Sequence, residues 1–294
     1  MEHLWINGEF MPLSEGRLPV EDRATQFSDA IYEVIAAYEG VPILMKEHLD
    51  RWERSAAGLQ MESPYSRETR EHAIHELVRL CGQPRIMIYG QLTRGTAKRA
   101  HPFPKGVPAN EFWYVRPLPH PNEQKYREGA ACVTHPDERW ARCWIKTTSL
   151  LANCLAKQYA LDHGAFEAVL YTEDGTVTEC TAANAYAVRD GTIHTYPAKP
   201  RILAGIKREL ILRLAREEGI PVKEEPFSLD FLRSADELFI SSTTLNALPV
   251  TTLDGKPVGE GKVGPIAQRI GERIAAFIAE TTSRSGAAAQ PGTA

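Results

Sequence analysis

No stretch of the chain holds the roughly 20 consecutive apolar residues that a membrane-spanning helix requires, so no helix is expected to cross a bilayer. Positive charge is not in excess: 34 Lys and Arg stand against 38 Asp and Glu, a net charge of -4. That balance offers no broad attraction for nucleic acid or an anionic membrane surface, and any positive site must be local. The five cysteines (Cys81, Cys132, Cys143, Cys154 and Cys180) are scattered, with no Cys-x-x-Cys pair and no histidine cluster. This argues against structural zinc and for idle thiols in a reducing cytoplasm, and no metal is expected. Met1 to Phe10 lacks the basic leader and apolar core of a secretion signal, so the chain is expected to be soluble and cytoplasmic.

What is present is a chain of 294 residues, 43% hydrophobic, long enough for one large or two moderate cores. Asn7-Gly8 between two short β-prone runs signals a hairpin, and Glu39-Gly40 turns a strand from Ile31 to Tyr38 back into Val41 to Met45. Helical spacing recurs over Lys46 to Met61 and Arg67 to Cys81, followed by strands over Arg85 to Thr93 and Glu111 to Val115. Three prolines between Arg116 and Asn122 remove donors and fix φ, which marks a linker. Beyond it, strands are expected at Ala130 to Thr134, Arg142 to Lys146 and Glu237 to Ser241, with helices at Leu150 to His163, Ile206 to Glu218 and Pro265 to Glu280. Without a regular βαβ alternation or a repeat, this is an α+β chain in two domains. The expected boundaries are 1–116 for a small N-terminal domain, 117–122 for the linker and 123–280 for a larger C-terminal domain, with 281–294 a disordered tail.

Several residues stand where chemistry is possible, each with a plain structural alternative. Lys146 ends an aromatic and β-branched run and precedes Thr147-Thr148-Ser149, a setting that can desolvate an amine for Schiff-base chemistry, although most lysines are surface charges. Glu179 is either an exposed strand carboxylate or a partner for a pyridine nitrogen. Gly205-Ile206-Lys207 opens an amphipathic helix whose first N–H groups suit a phosphate, or is a simple turn. Arg51 reads as a helical charge and Tyr32 as a strand aromatic. Ser242 and Thr243 offer hydroxyls after a strand, or cap a helix. Arg99 and His101, two apart in a basic loop, can converge on a carboxylate.

Taken in order, these pieces resemble one family. Ile31-Tyr32-Glu33-Val34, Glu47-His48-Leu49-Asp50-Arg51, Thr93-Arg94-Gly95-Thr96 with Arg99-Ala100-His101, Arg139-Trp140 to Lys146, Val177-Thr178-Glu179, Ile202 to Ile206 and Ser242-Thr243-Thr244 are similar to bacterial D-amino-acid transaminases. These belong to the branched-chain aminotransferase-like superfamily of fold-type IV, class IV aminotransferases. The likeness runs from Trp5 to Gly264. It implies a small N-terminal α/β domain, a larger C-terminal domain with a β-barrel-like core, and pyridoxal 5'-phosphate as cofactor. By the same resemblance Lys146 forms the Schiff base and Glu179 pairs the ring nitrogen. Arg51, the backbone at Ile206 and Lys207, Ser242 and Thr243 hold the phosphate. Tyr32, Arg99 and His101 trap the substrate carboxylate, with Val34, Thr181 and Ala182 nearby. In that family the Arg-x-His loop reaches the neighbouring subunit, which implies a homodimer acting on D-amino acids and 2-oxo acids.

Two stretches depart from the family pattern: Lys207 replaces a threonine, and Cys180-Thr181-Ala182-Ala183 replaces a glycine and serines. The lysine either reaches the phosphate or faces solvent. Rivals within the superfamily are R-selective amine transaminases, aminodeoxychorismate lyases and branched-chain L-amino-acid aminotransferases, which generally lack the Arg-x-His trap. A non-catalytic pyridoxal-phosphate-binding homologue would lack the lysine or the glutamate, and both are present.

Overall fold

Asn7 and Gly8 both adopt positive φ, and this mirror-image turn joins β1 (His3–Ile6) to β2 (Glu9–Pro12) in the computed structural model, which describes residues 2–288. A five-residue helix, α1 (Arg23–Phe27), precedes β3 (Ala30–Tyr38) and β4 (Val41–Pro42). Helices α2 (Met45–Gly58) and α3 (Arg67–Cys81) follow, then β5 (Arg85–Thr93) and β6 (Asn110–Pro117). The six strands form an antiparallel sheet in the order β2-β1-β6-β5-β3-β4. Its alternation is regular. Ile31, Ile35, Ile86, Ile88, Trp113 and Val115 pack with Leu49 and Trp52 of α2 and Ile74 and Leu77 of α3, while Tyr32, Val34, Tyr89 and Tyr114 stand half-buried on the other face.

Two carboxylates lie within that apolar layer, each with cationic and N–H partners. Glu111 accepts from Arg70 at 2.7 and 3.1 Å and from the Trp113 indole at 2.8 Å. Glu33, fully buried, accepts from Arg51 Nε at 2.9 Å and Nη2 at 2.6 Å, and from the Val34 amide at 2.9 Å. His48 Nδ1 stands 3.0 Å from the same carboxylate. Burial opposes ionisation of Glu33, but Arg51 and His48 outweigh it and hold its carboxyl well below the usual carboxylate range.

The C-terminal unit contains α4 (Glu123–Glu128), β7 (Ala130–Pro136), α5 (Leu151–Asp162), β8 (Glu167–Tyr171) and β9 (Val177–Cys180). The chain continues through β10 (Asn184–Arg189), β11 (Thr192–Thr195), α6 (Ile206–Glu217), β12 (Val222–Glu224) and α7 (Leu229–Arg233). It ends with β13 (Glu237–Ser241), β14 (Leu248–Leu253), β15 (Lys256–Pro257) and α8 (Pro265–Ala288). The sheet runs β12-β11-β10-β13-β14-β7-β8-β9, with β15 on β14. It curls on itself: β9 ends the strand order, yet the Cys180 amide donates to the carbonyl of Ala183, next to β10, at 2.7 Å. Val177, Ile240, Leu248 and Val250 fill the resulting barrel-like core, joined by Phe227 and Leu232. The chain is thus α+β in two units, each with its own sheet and core.

Four expectations change. The strand expected over Arg142 to Lys146 is absent, because its backbone bonds go to isolated partners, with the Trp144 amide on the Pro200 carbonyl at 3.3 Å. Residues 145–149, expected in the C-terminal domain, belong to the N-terminal unit, which also includes the chain up to His120. Arg116 and Pro117, expected to begin an irregular linker, finish β6 opposite Met87 and Ile86. The proline is tolerated because β1 pairs only with 112–114, leaving the strand one-sided there. Finally, α8 continues to Ala288 where a disordered tail was expected; 289–294 lie outside the described residues.

The Glu33 carboxylate generates a prediction for stability. Glu33→Gln removes the counter-charge of a buried arginine and should cost about 3–5 kcal/mol at pH 7 in denaturant titrations. Because its folded pKa is depressed, the stabilisation by Glu33 is fully present above the unfolded value of 4.5 and is lost as pH falls below it. The wild-type advantage over the variant should therefore shrink from pH 5 to pH 3; a constant difference would contradict this assignment.

Candidate functional site

Lys146 sits in the stretch 145–149, which lies along β3 of the N-terminal unit through an antiparallel bridge between Ile31 and Thr147. The Tyr32 amide donates to the Lys146 carbonyl at 2.9 Å and the Thr148 amide to the Ala30 carbonyl at 3.0 Å. The Lys146 amide in turn donates to the Ser55 hydroxyl of α2 at 3.2 Å. Held on both sides, the lysine places its Nζ 4.2 Å from the centre of the Tyr32 ring. A π face orients an amine without supplying a carboxylate, which would stabilise the ammonium and blunt the amine as a nucleophile.

Arg51 is buried on α2 with its fork on Glu33. Burial pushes the pKa of His48 down against the pull of Glu33, and the charges of Arg51 and Lys146 add to the same direction. A neutral His48 beside an acceptor-only carboxylate must carry its proton on Nδ1. The guanidinium is thereby fixed in place. Val34 follows Tyr32 on the same half-buried face, opposite Tyr89, whose ring stacks on Tyr32 at 5.7 Å.

Arg99 and His101 lie on the loop between β5 and β6, and both are exposed. The loop leaves β5 through Gly95, at φ +98°, where a Cβ would meet the Pro108 carbonyl oxygen at 2.1 Å, so only glycine allows this close return. Both side chains rest against Phe27: the Arg99 guanidinium carbon is 5.1 Å from its ring centre and the His101 ring 5.6 Å.

In the C-terminal unit, Glu179 on β9 is buried and takes three donors. Arg139 Nη1 reaches it at 2.5 Å, Asn184 Nδ2 at 2.9 Å and the Leu203 amide at 3.1 Å. Arg139 also grips Asp137 at 2.8 and 2.9 Å. Burial works against the charge of Arg139, yet Glu179 and Asp137 more than offset it and the guanidinium stays protonated. Burial pushes the Glu179 carboxyl up, against the opposing pull of Arg139. Asn184 is locked between Glu179 and the Leu203 carbonyl at 3.0 Å. Its Oδ1 would lie 2.1 Å from a Cβ at Gly205, so glycine at the start of α6 is what lets the amide approach.

The start of α6 is open. The Gly205 carbonyl accepts from Glu209, no side chain caps the helix, and the amides of Ile206, Lys207 and Arg208 precede the first helical bond. The Lys207 ammonium is buried there with no carboxylate within ion-pair distance among the described residues, and it donates to Asn246 Oδ1 at 3.4 Å. Burial pushes its pKa down to about 8. That shift corresponds to roughly 3 kcal/mol against the charged form, a cost that an anion would offset. Three open amides and an unneutralised buried cation suit a phosphate monoester. The Asn246 contact brings the turn after β13 to this point, and with it Ser242, whose hydroxyl accepts from the Leu245 amide at 3.2 Å, and the half-buried Thr243. The β10–β13 register sets Asn184 opposite Ser241, so Glu179, the start of α6 and the Ser242 turn gather at one end of the sheet.

Thr181 differs from its expected part. Its hydroxyl donates to the buried Glu167 at 2.5 Å, so substrate contact through that hydroxyl is not supported, and the neighbouring Ala182 is exposed. The sequence reading assigned no role to Glu33, His48, Ser55, Arg139, Asn184 or Asn246. Arg139 and Glu33 stood within the quoted motifs; Asn184 and Asn246 carry no local pattern, since Leu203 and Lys207, which meet them, lie further along the chain or on another element.

Residues 30–253 match the family described as Amino-transferase class IV. The chain is 41% identical over 283 residues to the D-alanine aminotransferase of Staphylococcus aureus (strain MSSA476), covering 95% of this chain and 98% of that one. It is 39% identical over 288 residues to the D-alanine aminotransferase of Staphylococcus haemolyticus, covering 96% and 100%. Among solved structures, a branched-chain amino acid aminotransferase of T.th. with pyridoxamine 5'-phosphate superposes with a TM-score of 0.88 at 31% identity, over 94% of this chain and 93% of that one. The branched-chain amino acid aminotransferase from Escherichia coli gives 0.85 at 26% identity, over 94% of each. With the family match spanning most of its length, the chain belongs to the class IV aminotransferases.

Proposed function

We propose that the protein is a cytoplasmic, homodimeric D-amino-acid transaminase that uses pyridoxal 5'-phosphate to exchange amino groups between D-amino acids and 2-oxo acids. The observation that carries the reading is the tethered amine of Lys146 over the Tyr32 ring. The substrate class follows the D-alanine aminotransferases it resembles and the Arg99-x-His101 pair.

Bound pyridoxal phosphate supplies a carbonyl that takes up the amino group and a ring that accepts electrons from the substrate Cα. Lys146 Nζ is the amine that would tether it, and as a free amine it would move the proton at the substrate Cα. Glu179 holds the proton on the pyridine nitrogen, stiffened by Arg139 and Asn184. Arg51, the amides of Ile206 and Lys207, the Lys207 ammonium, Ser242 and Thr243 bind the phosphate. Arg99, His101 and the Tyr32 hydroxyl hold the substrate carboxylate, which decides the side of Cα that faces the lysine and hence the D preference. Both loop residues are exposed in a single chain, as residues serving a neighbouring subunit must be. Val34, Ala182 and the backbone of Thr181 border the substrate side chain.

The test is turnover with defined substrates. D-alanine with 2-oxoglutarate should yield pyruvate, and L-alanine should not; activity confined to L-leucine would contradict the substrate assignment. Arg99→Ala should raise KM for D-alanine by about tenfold or more, as loss of a charge-assisted bond does, with cofactor absorbance retained. For Lys207, phosphate binding favours the protonated amine, so above its free pKa of about 8 binding takes up a proton. Cofactor affinity of the apoenzyme should therefore fall between pH 7 and 9.5 more steeply in the wild type than in Lys207→Met. Parallel profiles would remove Lys207 from the phosphate site.

A further inference from the structure

A helix of five residues is too short to be stable alone, yet α1 is fixed at both ends. Asp22 caps it by accepting from the Ala24 amide at 2.8 Å, and the same carboxylate takes Thr93 Oγ1 at 2.7 Å and Asn110 Nδ2 at 2.8 Å from β5 and β6. Its first residue, Arg23, is 3% exposed. Arg23 Nε donates to Asp29 at 2.8 Å, Nη1 to the Ala100 carbonyl at 2.6 Å and the Pro102 carbonyl at 3.5 Å, and Nη2 to the His101 carbonyl at 3.3 Å. Three consecutive carbonyls of an exposed loop thus turn inward onto one buried guanidinium.

The loop stretch held in this way carries Arg99 and His101. Their side chains meet the other end of α1, since both lie against Phe27, which stacks under the Arg23 guanidinium as well, at 4.7 Å. Asp29 neutralises Arg23 and also takes Arg94 Nε at 2.7 Å. Arg94 anchors the loop's start to the Leu59 and Gln60 carbonyls at 2.6 and 3.1 Å and lies 3.6 Å from the Phe103 ring near the loop's far side. Without Asp29, two buried guanidiniums would lose their shared counter-charge.

Resting on the assignment of Arg99 and His101 to the substrate carboxylate, we propose that Arg23, held by Asp29, is a positioning residue for that pair, its fork fixing the loop backbone while Phe27 spaces the two side chains. A planar fork is required. A lysine keeps the charge and reaches Asp29, but cannot hold Asp29 and three carbonyls in one fixed geometry.

Steady-state kinetics and deuterium exchange of the holoenzyme test this with Arg23→Lys and Phe27→Leu. Arg23→Lys should raise KM for D-alanine by about tenfold with kcat within twofold, because displacement of a binding group by about 1 Å has effects of that order or larger. Amides 99 to 101 should exchange faster while those of β5 and the cofactor absorbance stay as in the wild type. Unchanged KM and exchange would overturn the proposal, as would equal falls in kcat, cofactor content and melting temperature, the mark of a merely structural role. Should Arg23→Lys fail to fold, Phe27→Leu gives the same KM-against-kcat split or overturns the proposal by leaving it unmoved. If Arg99→Ala leaves KM unaltered, the carboxylate assignment fails; if Arg99→Ala raises KM and Arg23→Lys does not, that assignment stands and the clamp fails.

Discussion

The pairing of residues 145–149 with the edge of β3 is the contact on which the proposed chemistry depends. β4 covers only the last two residues of β3, so the N-terminal half of that edge would present open amides and carbonyls. The Ile31–Thr147 bridge and the bonds from Tyr32 and Thr148 close them. Satisfying that edge and placing an amine over Tyr32 are the same event. Unfastening the stretch would cost backbone bonds as well as the orientation of Lys146.

Around this contact, three buried carboxylates share one arrangement, and a buried lysine departs from it. Glu33, Glu111 and Glu179 each have a cation and further donors, so their desolvation is offset within the fold. Lys207 has a long bond to a neutral amide instead. A chain that partners these buried carboxylates, and leaves this cation beside three open helical amides, has left room for an anion supplied from outside.

How far the sequence could be read depends on the range of the interactions. Turns set by Asn7-Gly8 and Glu39-Gly40, and helices with regular apolar spacing such as Arg67–Cys81, are decided by near neighbours and were legible to the residue or close to it. The stretch before Lys146 was misread because Trp140 and Trp144 have strand-like propensity but stand exposed, while the Trp144 amide goes to the Pro200 carbonyl and that of Lys146 to Ser55 of α2, both distant in the chain. The same holds at the site. Lys146, Glu179 and Arg51 were singled out through motifs, whereas Asn184 and Asn246 draw notice only once the sheet register and α6 bring Leu203 and Lys207 to them. Thr181 shows the same at closer range: its hydroxyl is directed by Glu167, fourteen residues earlier.

Membership of the class IV aminotransferases and the tethering of Lys146 against Tyr32 support a single catalytic amine. The most direct measurement is reduction of the holoenzyme with borohydride, followed by mass mapping of its peptides. The account predicts one pyridoxyl group, on Lys146, and none in Lys146→Ala. A pyridoxyl group on Lys207 or another lysine, with Lys146 unmodified, would contradict it.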